Sequence, residues 1–104
     1  MAWILLVVAG LLEAVWATTM KYSAGFTAPI PSLVTVVTAA VSFYILGVAM
    51  KSLPLGTAYL VWTGIGAIGA FVAGIFLYSE DVSPMRLAAA GLIVAGMMLM
   101  KLSA

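Results

Sequence analysis

One carboxylate in this sequence sits where a carboxylate is hard to keep. Glu13 lies inside an apolar run from Ala2 to Met20, about 16 Å along a helix from its start and about 10 Å from its end. An ionised carboxylate at such depth in a bilayer costs at least ~2.5 kcal/mol by insertion scales, and groups of this kind are functional candidates by default. No apolar run contains an interior Lys, Arg or His, so no fixed cation can neutralise it. Its counter-charge is expected to be a proton or a cation that arrives from outside. The plainer reading is a protonated Glu that hydrogen-bonds a neighbouring helix, a task that Gln or Ser would perform at lower cost. The chain has no Cys and no His, which removes disulfides, thiolate nucleophiles, imidazole acid–base chemistry and Cys/His metal sites. No catalytic residue, metal site or cofactor is expected.

Helical spacing predicts the surroundings of that carboxylate. Residues three or four apart share a face, so Ala9, Gly10, Glu13, Trp16, Ala17 and Met20 form one stripe. The small residues before Glu13 either leave space for a ligand or let another helix approach closely. Trp16 is one turn from the end of its run, but its place beside Glu13 favours a site role, because a buried indole N–H needs an acceptor. Thr35, Thr38, Ala39 and Ser42 form a weakly polar face in the second run, and Gly56, Tyr59, Trp62, Thr63 and Gly66 form one in the third. Trp62 is too deep for an interfacial belt, whereas Trp3 stands where a belt anchor belongs.

The elements that must position these groups follow from composition. Of 104 residues, 66% are hydrophobic and 7% charged, and the mean hydropathy is +1.31, far from the profile of a soluble domain. Seven charged side chains can neither solvate a globular surface nor follow a phosphate backbone. Soluble enzymes and nucleic-acid binders are excluded on that ground. We read an all-α membrane protein forming one domain, with transmembrane helices over about residues 2–20, 32–50, 55–78 and 85–100, each near the ~20 residues that cross a bilayer. Ser83-Pro84 supplies a cap and first-turn start for the last helix. Gly25, Pro29 and Pro31, then Pro54 and Gly56, then residues 79–83 punctuate three short connections. The opening Met-Ala-Trp lacks the basic flank of a cleavable signal peptide, so the first helix is expected to be retained.

Orientation signals cancel. Lys51 and Lys101 fall on the side of the termini and Lys21 and Arg86 on the other, a two-against-two balance that gives the positive-inside rule no preference. Either a weak bias is hidden, or the chain inserts both ways and pairs as an antiparallel, dual-topology homodimer, making from two chains the inverted repeat that larger transporters carry in one. Gly64 and Gly66, with Gly69 and Gly74, permit bending or close helix contact in the third helix. Ala88, Gly91, Ala95 and Gly96 give the fourth an association stripe with nothing ionisable, and it is assigned to dimerisation.

These residues resemble a known family. A lone Glu in LLEAVWATTMKYS and the segment GTAYLVWTGIGA opening the third helix look like the small multidrug resistance transporters, over the whole chain. Trp16, Ser42, Tyr59 and Trp62 are similar to its guanidinium exporter subtype, and less like the exporters of quaternary ammonium compounds. The resemblance implies an antiparallel homodimer in the bacterial inner membrane, one site built around both copies of Glu13, and exchange of protons for guanidinium ion. In such a site Ser42 and the Trp16 indole would orient the carboxylates, while Tyr59 and Trp62 would wall the pocket and add cation–π attraction of roughly 0.5 to 2 kcal/mol. A planar guanidinium carries a fork of donors that matches carboxylate geometry. Proton and cation would then compete for one position, and the competition becomes antiport if only the occupied dimer readily switches its opening. Other readings are export of bulky quaternary ammonium or aromatic cations, an ion channel without proton coupling, and a structural subunit in which Glu13 joins helices.

Overall fold

The computed structural model describes residues 1–103. Four α-helices follow one another: α1 (Ala2–Tyr22), α2 (Pro29–Ala49), α3 (Leu55–Tyr78) and α4 (Pro84–Ser103). All four are long and apolar enough to span a membrane. Two boundaries lie three residues from the expected ones, the others within two. α2 begins at Pro29 and not near residue 32, because prolines in a first turn lack only N–H groups that would be unpaired anyway. α4 runs to Ser103, past the expected end at residue 100, since Lys101 stays at the interface with its ammonium 5.4 Å from the Trp3 ring.

The turns explain where the helices stop. Ala24, Gly25 and Phe26 all have positive φ, and buried Ser23 ties the turn together: its hydroxyl donates to the Met20 carbonyl at 2.6 Å and accepts from the Phe26 N–H at 3.0 Å. α3 ends at Ser79, in the left-handed region with φ 53°, and the Glu80 N–H returns to the Gly74 carbonyl. α4 starts on the Ser83 hydroxyl, which accepts from the Arg86 N–H at 3.2 Å.

α1 is the hub of the bundle. It packs along both α2 and α3, whose own contact is slight, and α4 packs on α3, with Lys101 reaching the Trp3 ring of α1. Small residues set the spacing: a Cβ at Gly10 would lie 2.6 Å from the Ile65 side chain, and one at Gly69 2.5 Å from Ala14 Cβ. The buried apolar core is Leu6, Ala9, Leu46, Ala49, Ala58, Val61 and Trp62, concentrated where the start of α1, the end of α2 and the start of α3 meet. No residue of α4 is buried.

Candidate functional site

Glu13 is on the face of α1 that meets α3, and its carboxylate occupies the space that a side chain at Gly66 would need. Glycine there is a matter of room, because any Cβ would overlap Glu13 Oε1. That oxygen is shielded from solvent and has no hydrogen-bond partner. A shielded acceptor without a donor is costly, and here it belongs to the one acid inside the bundle. The Arg86–Glu80 contact at 3.9 Å is the single ion pair among the described residues, so no side-chain cation meets Glu13 within the chain. Among the described residues no cluster of three His, Cys, Asp or Glu side chains could hold a metal.

The expected supporting residues gather around it unevenly. Ser42 is fully buried, but its hydroxyl is committed away from the carboxylate: it donates to the Ala9 carbonyl at 2.7 Å and accepts from the Trp62 indole N–H at 3.0 Å. Ala9 is one turn before Glu13, and Trp62 is one turn before Gly66, so this clasp joins α1, α2 and α3 just beside the acid. Trp16 Nε1 is shielded and unpartnered. Two unsatisfied polar groups, an acceptor on Glu13 and a donor on Trp16, thus stand one turn apart on the same helix face. Tyr59 is 53% exposed and meets Trp62 at a ring-centroid distance of 5.6 Å.

Phe43 escaped the sequence reading. It lies between Trp16 and Trp62, at centroid distances of 6.1 and 5.8 Å, and completes an aromatic series Trp16–Phe43–Trp62–Tyr59. Its signal was there in its spacing four residues after Ala39, on the weakly polar face of α2. Thr19 and Thr35 also share a hydrogen bond of 2.7 Å between α1 and α2. Gly64 is not at the acid: the Met97 side chain of α4 fills the place of a Cβ there. Ala88, Gly91, Ala95 and Gly96 are all exposed, and nothing lies within 4 Å of where a Cβ would stand at Gly91 or Gly96.

The Ser42 clasp carries a stability prediction. Ser42→Ala leaves a buried Trp62 N–H without its acceptor, a penalty of about 1–3 kcal/mol. Thermal unfolding in detergent should show a clearly lowered Tm for Ser42→Ala, and an unchanged Tm would mean that water takes over the bond.

Four membrane-length helices with one unpaired acid held inside them define a polytopic membrane protein in which Glu13 is the only acid within a helix among the described residues. Comparison with known proteins places that class in a family. The family profile described as "Small Multidrug Resistance protein" matches residues 1–93. The chain is 57% identical over 103 residues to a guanidinium exporter of Escherichia coli strain K12, covering 99% of this chain and 98% of that protein. It is 54% identical over 104 residues to a guanidinium exporter of Salmonella typhimurium, covering 100% and 99%, and 55% identical over 103 residues to one of Citrobacter freundii, covering 99% and 98%. The chain belongs to the small multidrug resistance family and is a multi-pass protein of the bacterial inner membrane.

Proposed function

We propose that this protein is a transporter, not an enzyme, and exports guanidinium ion in exchange for protons, with both cations competing for Glu13. The observation that carries the reading is the shielded Glu13 oxygen with no partner in a bundle that offers no internal cation. Such a group is neutralised by whichever cation arrives, and two cations that discharge one carboxylate exclude each other. The names of the full-length relatives supply the second cation. Guanidinium presents donors in a plane, and the vacant acceptor on Glu13 is a group it can satisfy.

The functional unit in this reading is a homodimer with its second chain inverted. α4 buries nothing within its own chain, and its stripe of Ala88, Gly91, Ala95 and Gly96 is open to a second helix at close range. Helix direction puts Lys21 and Arg86 at one end of the bundle and Lys51 and Lys101 at the other, so neither orientation is preferred. Both Glu13 carboxylates then face one central site, walled by Trp16, Trp62 and Tyr59, with Ser42 bracing the helices around it and Gly66 giving each acid its seat.

Proteoliposomes test the reading directly. An imposed guanidinium gradient should drive proton movement, and tetramethylammonium or a larger quaternary ammonium should drive little. Comparable proton flux with both would favour broad multidrug export. Current without proton coupling would mean a channel, and silence with every cation would leave Glu13 a structural group.

A further inference from the structure

The other acid that the fold places with care is Glu80. It follows α3 immediately, and the left-handed Ser79 with the bond from the Glu80 N–H to the Gly74 carbonyl turns the chain back on the helix. Its carboxylate then settles where a side chain at Gly74 would stand. That notch sets the acid at the mouth of an open cavity of about 310 Å³ between α1 and α3, whose lining includes Ala17, Thr18, Lys21, Ala70, Gly74 and Tyr78. The inner end of the cavity, at Ala17 and Ala70, is one helical turn from Glu13 and Gly66, or about 6 Å. The Tyr78 hydroxyl, also in the lining, is shielded and has no hydrogen-bond partner.

The group facing Glu80 is informative. Arg86 sits at 3.9 Å from its carboxylate, both side chains being nearly half exposed, and the guanidinium also lies 5.6 Å from the Phe71 ring. A separation of 3.9 Å with such exposure is a loose pair, worth little and easily exchanged. Lys21, the other cation at this end, is held over the Tyr78 ring at 5.2 Å. The head group that occupies Glu80 is therefore itself a substituted guanidinium.

Building on the function proposed above, we propose that Glu80 is an outer station for guanidinium ion, where the substrate displaces the chemically equivalent Arg86 head group before it reaches Glu13. Arg86 acts as a tethered competitor that keeps the station closed to poorly matched cations. A quaternary ammonium has no N–H fork to replace the one it would evict.

Glu80→Gln, Arg86→Lys and Glu13→Gln test this together. Arg86→Lys keeps the charge balance of the chain while removing the fork. In guanidinium–proton exchange, Glu80→Gln should raise KM about threefold with a smaller effect on kcat, and Arg86→Lys should lower KM about twofold. A pair that serves only to tether the loop would move KM the same way in both variants, and that result, or an unmoved KM, overturns the proposal. The second measurement needs no transport. In Glu13→Gln protein, guanidinium should slow carbodiimide labelling of Glu80, read by peptide mass, and sodium at equal concentration should not. Equal protection by both salts would mean mere screening and would also overturn it. Wild-type exchange with neither effect removes the outer station alone, whereas absent wild-type exchange removes the transport reading and leaves the labelling result to stand on its own.

Discussion

Glu13→Gln is expected to abolish guanidinium-driven proton movement, to below about one hundredth of the wild-type rate, equivalent to about 2.7 kcal/mol. The substitution keeps the shape against Gly66 and deletes the only charge inside the bundle. Neither the Glu13 oxygen nor the Trp16 N–H has a partner in the wild-type bundle, so the amide breaks no hydrogen bond and folding should be preserved or slightly improved. An uncharged side chain at this depth is cheaper to bury than an ionised one. The expected pattern is a protein of normal or raised Tm that binds no guanidinium, measured by calorimetry alongside the flux assay. Retained exchange in this variant would show that the coupling site lies elsewhere.

Gly66→Ala separates seat from acid. In a helix interior Ala is favoured over Gly by about 0.8–1.0 kcal/mol, so propensity alone predicts a more stable protein. The added methyl group would overlap the Glu13 carboxylate, which is the end of a flexible side chain and can swing aside. Stability should therefore change little while the acid is displaced from its seat. We expect apparent guanidinium affinity to fall about tenfold, or about 1.4 kcal/mol, with the purified protein still monodisperse. Gly47→Ala in α2 makes the matched control for propensity, because nothing lies within 4 Å of the added carbon and the residue is outside the α4 stripe. Full activity in Gly66→Ala would mean that Glu13 leaves this position whenever it works.

The four spans and the isolation of Glu13 were legible because both are one-dimensional facts: apolar runs of membrane length, and a charge inside one of them. What escaped depends on contacts between helices far apart in the chain. Gly66 is 53 positions beyond Glu13, and no periodicity within one helix reveals that the glycine makes room for that acid. Ser42 was expected to serve the carboxylate, yet its hydroxyl pairs with a backbone carbonyl and an indole. Backbone acceptors are present at every position and leave no mark in a pattern of side chains. Pro29 and Pro31 misled in the opposite way, since proline interrupts a helix interior but is welcome in a first turn. Glu80 falls within residues 79–83, which the sequence marks only as a connection, and the left-handed Ser79 is what turns it toward the cavity.

The hub arrangement has an electrical consequence. α2 and α3 each pack along α1 and meet one another mainly through Trp62, at Ser42 and Phe43, so a rearrangement that swings them about α1 leaves a group on α1 close to the pivot. Moving one elementary charge across the full membrane field takes about 2.3 kcal/mol per 100 mV. An acid near the pivot crosses little of that field while the walls turn around it. In the exchange proposed above, the voltage would then act on the cations as they enter and leave, and hardly at all on a swing between those steps.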